Sequence, residues 1–312
     1  MKIIILDAKT LGDDLDLSPL NTFGEVKSYQ TTSSSQTASR IQDADIVISN
    51  KVVIDAAMMD KTTRLKLICI AATGMNNVDL DHAKEKGIAV KNVAGYSTQS
   101  VVQHTFAMAL YLIEKMAYYD NVVKSGTWSK SGLFTDVSRP YSEIAGKKWG
   151  IIGLGSIGRE VATVATAFGA EVVYHSTSGK LRQEAYAHED LETLLRSCDI
   201  ISIHAPLNAK TENLINASNL PLLKEGSVLL NLGRGSIVNE VDLAQELNKR
   251  EIYAGLDTLT PEPIEESNPL MHIQHQERLL ITPHIAWASI EARQKLLAGI
   301  VENIEHYIKG EK

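Results

Sequence analysis

The stretch at 150–158, GIIGLGSIG, constrains this chain more than any other, because Gly153, Gly155 and Gly158 make G-x-G-x-x-G. It is preceded by KKWGII, a short apolar run that reads as a buried strand. It is followed by REVATVATAFGA, which reads as a helix. That strand–turn–helix setting is what turns a glycine pattern into a dinucleotide-binding signal. Gly153 permits the tight turn, Gly155 lets a pyrophosphate approach the backbone, and Gly158 lets helix and strand pack closely. The helix N-terminus then presents free N–H groups to the phosphates.

At 312 residues the chain has room for about two domains. Strand-like runs occur at 2–7, 44–49, 65–71 and 87–93, alternating with helical segments, so the first 97 or so residues read as a parallel α/β sheet. The serines of TTSSSQTAS (31–39) read as caps of a short helix. A long apolar-faced helix is expected over 100–116, followed by an irregular arm at 118–145 with Trp128, Phe134 and Tyr141. A structureless arm of that length suggests an oligomer contact, here a homodimer. A second α/β block starts at Lys147, with strands in WGIIGL, 170–175, 199–205, 227–233, 252–258 and 279–286, and a final helix covers 289–308. The expectation is an α/β protein of two doubly wound parallel-sheet domains, the larger a Rossmann dinucleotide-binding domain.

Bulk properties narrow the function. A formal charge of −7, with no run of Lys or Arg, argues against a nucleic-acid or anionic-membrane partner. The two cysteines, Cys69 and Cys198, are far apart and form no C-x-x-C, which fits a reducing compartment. The opening MKIIILD is too short an apolar run for a secretion signal, and nothing reaches the roughly 18 apolar residues of a membrane span. A cytoplasmic protein is expected, and no motif calls for a metal.

In open parallel sheets ligands bind beyond the carboxyl ends of the strands. Several strand ends here carry chemistry. Arg234, in NLGRGSIVNE, has two glycine neighbours, Gly233 and Gly235, that would leave room for a ligand, and its guanidinium suits a carboxylate. His284, in TPHIAW, suits a general acid that protonates a carbonyl oxygen as hydride reaches carbon. Glu262, in LTPEP, suits a partner that favours the protonated imidazole. Together these describe a site for a small carboxylate beside a nicotinamide. His204, in IHAPL, is expected to pack beside the cofactor without a proton role.

GIIGLGSIGRE, IHAPL, NLGRGSIVNE, AGLDTLTPEP and TPHIAWAS, in that order along nearly the whole chain, resemble the signatures of the D-isomer-specific 2-hydroxyacid dehydrogenases. IAATGMNNVDL, NVAGYSTQSVVQHTFAMAL, the opening ILDAKTLGDDLDLSPL and Trp287 resemble the glycerate dehydrogenase, or hydroxypyruvate reductase, branch. The resemblance implies hydride transfer between a nicotinamide cofactor and a small D-2-hydroxy or 2-keto acid, hydroxypyruvate or glyoxylate. Arg234 would bind the substrate carboxylate, with His284 as proton donor and Glu262 as its partner. Thr73 and Gly74 would offer backbone amides to the carboxylate. Ser156 and Ile157 would contact the pyrophosphate, Asp257 the nicotinamide amide, and His204, Pro206, Leu232 and Gly233 the rest of the cofactor. The family's substrate domain is discontinuous, which implies 1–98 plus 288–312 for substrate and 99–287 for the dinucleotide, with closure of the cleft excluding water. Formate, phosphite and phosphoglycerate dehydrogenases share this fold, as do non-enzymatic corepressors that sense nucleotide.

One departure concerns the cofactor. An acid about 20 residues beyond the glycines normally holds the ribose 2′-OH of NAD. Here the strand ends in YHSTSGKLR, with Ser176, Thr177 and Ser178 at that place and Lys180 and Arg182 beyond. This leads to the expectation that NADP is used at least as well as NAD.

Overall fold

The computed structural model describes residues 1–180 and 185–310. Arg182, one of the two expected phosphate cations, lies outside the described residues. The chain divides into two compact units, Met1–Ser97 with Ala288–Lys312, and Thr98–Trp287.

The first unit holds five strands: β1 (Lys2–Ile5), β2 (Glu25–Ser28), β3 (Ile46–Ser49), β4 (Leu67–Ile70) and β5 (Ala89–Asn92). They pair in the order β2-β1-β3-β4-β5, all parallel. Strands β3 and β4, IVIS and LICI, are buried throughout, as expected where helices cover both faces of a parallel sheet. β2 was not legible as a strand. Its EVKS is polar and mostly exposed, and it forms only because it sits at the edge. Ser33 does cap the helix Ser34–Ile41, through a capping box with Gln36. The terminal helix Ile290–Lys309 packs against β4 and β5 of this unit and is capped by Ser289.

The second unit holds β6 (Lys148–Ile152), β7 (Glu171–His175), the two-residue β8 (Ala187–His188), β9 (Ile200–Ile203), β10 (Val228–Asn231), β11 (Tyr253–Leu256) and β12 (Leu279–Ile281). Their order is β12-β11-β10-β9-β6-β7-β8, again all parallel. The direction of winding therefore reverses between β6 and β9, which creates a crevice at their carboxyl ends. Trp149 on β6 is fully buried and donates its indole N–H to Ser202 on β9 (3.0 Å).

The expected helix over 100–116 and irregular arm from 118 need correction. The helix runs Thr98–Ile113, Lys115 turns left-handed (φ 55°), and a second helix occupies Met116–Lys124. The rest of the arm folds back on this helix. Tyr119 donates its hydroxyl to the Arg139 carbonyl (2.7 Å), and Tyr118 and Ser138 share a hydrogen bond of 2.8 Å. Aromatic anchors, rather than an apolar stripe, fix the segment, which is why its periodicity was weak.

Candidate active site

Two clusters form at the carboxyl ends of the Thr98–Trp287 sheet. The first sits at the winding reversal. Gly153 has a φ of +95°, and a Cβ there would lie 2.9 Å from the Ala205 backbone, so the turns after β6 and β9 touch only because this residue is glycine. A Cβ on Gly158 would run into the Gly153 carbonyl oxygen, whereas one on Gly155 would meet open space. That open space borders the start of the helix Ser156–Ala167, whose first N–H groups receive no side-chain cap, and Ser156 is exposed there beside half-buried Ile157. A cavity of about 210 Å³ lies alongside, lined by Gly153, Gly155, Ser176, Thr177, His204 and Pro206 among others.

Both ring nitrogens of His204 are buried without a hydrogen-bond partner, and burial pushes its pKa down to about 3. The ring is therefore neutral at any working pH, and an unpartnered buried polar ring on a cavity wall fits a ligand-facing role. Directly after β7, Ser176 donates its hydroxyl to the Lys180 carbonyl (2.9 Å), closing a short turn rimmed by Ser178. The donors, the open cradle and the neutral imidazole all fit a dinucleotide.

The second cluster follows β10, β11 and β12. His284 shares a 2.8 Å hydrogen bond, through Nδ1, with Glu262 Oε2. A carboxylate only accepts, so Nδ1 carries the proton and Nε2 is the nitrogen left for a ligand. Glu262 Oε1 in turn accepts the Leu259 N–H (3.1 Å), which fixes the carboxylate. His284 itself has a φ of +54°, a region non-glycine residues rarely occupy.

Arg234 leads out of β10. Its Nη1 donates to the Gly233 carbonyl (2.8 Å), and buried Asn231 donates from Nδ2 to the Arg234 carbonyl (2.9 Å) while accepting the Gly233 N–H (3.1 Å). The glycines flanking Arg234 do something other than leave room for a ligand. A Cβ on Gly235 would collide with the Leu259 backbone, and one on Gly233 would sit 2.9 Å from the Ala205 carbonyl. The open space they provide is filled by neighbouring chain, and that approach seats the Arg234 loop against the loop bearing Glu262. Leu232, the residue before, is buried.

Asp257, at the end of β11, is almost wholly buried. Its Oδ1 accepts the Thr282 hydroxyl (2.7 Å) and the Ile285 N–H (2.9 Å), and its Oδ2 accepts the Ala286 N–H (3.0 Å). His104 Nε2 lies 3.0 Å from the Thr282 hydroxyl. Neither His104, Thr282 nor Asn231 stood out in sequence. The available signal for His104 was a histidine within an otherwise apolar helical face. Thr73 and Gly74 follow β4 in the other unit, where the Thr73 carbonyl accepts from Asn92 Nδ2 (2.5 Å) and its hydroxyl donates to the Val93 carbonyl (3.3 Å).

Comparison with known proteins places this geometry. Residues 106–286 match the model of the NAD binding domain of D-isomer specific 2-hydroxyacid dehydrogenases. The hydroxypyruvate reductase of Blautia hydrogenotrophica is 37% identical over 99% of this chain and 98% of its own length. The glycerate dehydrogenase of Methylorubrum extorquens is 36% identical over 99% and 96%. Among solved structures, an acyclic imino acid reductase in complex with NADPH and D-Arg superposes with a TM-score of 0.87 at 31% identity, covering 100% of this chain and 98% of that one. The chain belongs to the D-isomer specific 2-hydroxyacid dehydrogenase family. It is an oxidoreductase that uses a nicotinamide cofactor and acts on the CH–OH group of a 2-hydroxy acid, and the corepressor-like alternative is not favoured. Among the described residues no helix is long and apolar enough to cross a membrane.

Proposed function

We propose that this enzyme interconverts a small 2-keto acid of the hydroxypyruvate or glyoxylate type with its 2-hydroxy acid. The observation that carries the chemistry is the His284–Glu262 pair (2.8 Å), with the loop bearing Glu262 packed against that of Arg234. The names of the two relatives above support the substrate class.

In this reading Arg234 grips the substrate carboxylate with the guanidinium N–H groups not used on Gly233, so the keto group is held in one orientation. A reduced nicotinamide cofactor held in the cavity beside His204 would supply the hydride for the keto carbon. Nε2 of protonated His284 gives its proton to the keto oxygen, and the C=O becomes CH–OH. Glu262 holds Nδ1–H throughout, so the ring keeps its orientation and its positive charge is matched before transfer. Asp257 has about one of a carboxylate's four lone-pair sites left for the nicotinamide amide. His204, Pro206, Leu232 and Gly233 flank the cofactor, Ser156 and Ile157 meet the pyrophosphate, and Thr73 and Gly74 contribute amides to the substrate carboxylate. The Thr98–Trp287 unit is the cofactor domain and the other the substrate domain.

The cofactor preference we propose is NADPH at least equal to NADH. Ser176 closes its turn without bringing a carboxylate, Thr177 lies beside it, and exposed Lys180 borders the same cavity. The enzyme is further proposed to be a homodimer joined through its arm, supported by the exposure of Leu133, Phe134, Val137 and Tyr141, with Phe134 at 92%. Two free, buried cysteines support a cytoplasmic setting. Steady-state assays of hydroxypyruvate, glyoxylate and larger keto acids with both cofactors test the reading. Turnover of none of the small acids overturns the substrate class. A preference for NADH above about tenfold, or about 1.4 kcal/mol, overturns the cofactor choice, and Ser176→Asp should move the kcat/KM ratio toward NADH.

A further inference from the structure

His284 is held in a backbone conformation that costs an L-residue about 1–2 kcal/mol. Such strain persists only where the surroundings over-determine it. Here the restraints can be traced. The His284 N–H turns back onto the Thr282 carbonyl (2.9 Å), and the next two amides, of Ile285 and Ala286, both end on Asp257. Ala286 is also gripped from its other side, where its carbonyl accepts the Ser100 hydroxyl (2.6 Å). The main chain that carries His284 is therefore tied to the Asp257 carboxylate, while Glu262 holds the ring itself through Nδ1.

What fixes the plane of that carboxylate is a chain of protons leading to the helix Thr98–Ile113. Thr282 has one hydroxyl hydrogen, and the acceptor-only Asp257 takes it at 2.7 Å. The 3.0 Å contact between His104 Nε2 and the same hydroxyl oxygen then requires Nε2 to carry a hydrogen. His104 Nε2 also stands 3.6 Å from Asp257 Oδ1. The hydroxyl is thus occupied on its acceptor side by His104 and on its donor side by Asp257, and it cannot rotate away.

We propose that His104 and Thr282 are positioning residues for the proton donor, acting on His284 through Asp257. The proposal rests on reading His284 as the general acid. Neither residue touches substrate in this arrangement. Each removes a freedom that would let the carboxylate tilt and the strained His284 relax out of line, and small misplacements of a reacting group are expensive in rate.

The test is a set of variants of the full-length enzyme, assayed by steady-state reduction of glyoxylate together with the Kd for NADPH and the Tm. Thr282→Val and His104→Leu should each lower kcat by about tenfold, with cofactor Kd unchanged. Thr282→Ser and His104→Gln, which restore a hydroxyl and an N–H donor, should recover most of the loss. In a His284→Ala background, Thr282→Val should cost nothing further, because the group it positions is gone. If Thr282→Val removes the same factor again in that background, Thr282 acts independently of His284 and the proposal is overturned while the general-acid reading stands. Unchanged kcat in both single variants, or failure of both conservative variants to rescue, also overturns the proposal alone. Wild-type kcat in His284→Ala overturns the general-acid reading and the proposal with it.

Discussion

The two units use the same device at the ends of their sheets, with different consequences. In the smaller unit Asp7 follows β1. Its carboxylate accepts the backbone N–H groups of Asn50 (2.9 and 3.1 Å) and Lys51 (2.7 Å), on the loop after the neighbouring strand β3. In the larger unit Asp257 follows β11 and accepts two amides of the loop after its neighbour β12. Both aspartates are nearly inaccessible, at 6% and 2% exposure, and both accept backbone amides, Asp257 taking the Thr282 hydroxyl besides. The loop held by Asp7 contains no left-handed non-glycine residue, whereas the loop held by Asp257 contains His284 at φ +54°. The same grip on backbone amides thus organises a turn without left-handed residues in one case and a strained loop under the proposed proton donor in the other. What a buried carboxylate contributes depends on the conformation of the loop it grips.

The largest way to break this comparison is to remove the residue that makes the second loop special. His284→Ala should keep the fold and cofactor affinity and lose about 10²–10⁴ in kcat, the usual share of general acid catalysis. Turnover and cofactor titration on the same preparation check this, and wild-type turnover contradicts it.

A smaller effect should separate the two anchors. Asp257→Asn and Asp7→Asn each replace one carboxylate oxygen by an N–H₂ that faces backbone N–H. Both should lose stability by about 1–3 kcal/mol, the cost of leaving buried donors unmet. Only Asp257→Asn should also lose kcat by about tenfold or more, since only its loop must hold a reacting group in line. Denaturant midpoints and kcat measured together decide it. Equal kcat losses would show that the two loops are equivalent and the strain irrelevant.

These two anchors also mark the limit of what could be read from sequence. The strand ends carrying Gly153, Arg234, Glu262 and His284 were legible because parallel strands are continuous apolar runs and ligand chemistry gathers just past their carboxyl ends. The pairing of Glu262 with His284, 22 residues apart, followed from charge and placement and appears at 2.8 Å. The strand β2 was illegible, because a polar edge strand needs no hydrophobic period. The helix Met116–Lys124 was missed because tyrosine hydrogen bonds to Ser138 and Arg139 replace the usual apolar stripe. Gly235 was identified but assigned to ligand space, since nothing in a linear chain shows that Leu259 would come to lie against it. The contact of His104 with Thr282 spans 178 residues, a distance over which no local pattern carries information.

The finest test of the comparison concerns sign rather than size. At His284, glycine and alanine variants both lack the ring and its bond to Glu262, so their difference isolates the backbone. Alanine in the left-handed region bears a cost of about 1–2 kcal/mol that glycine does not. Against this, glycine gives up about 0.5–1 kcal/mol of chain entropy on folding. His284→Gly should therefore be more stable than His284→Ala by about 0.5–1 kcal/mol. At Asn50 in the loop held by Asp7, φ is not positive, and both variants equally lose the Nδ2 bond to Thr10. There the order should reverse, with Asn50→Gly less stable than Asn50→Ala by about 0.5–1 kcal/mol. Four equilibrium unfolding curves give the two differences. The same sign at both positions would mean that the Asp257 loop is not strained, and that its anchor does no more for the proton donor than Asp7 does for its turn.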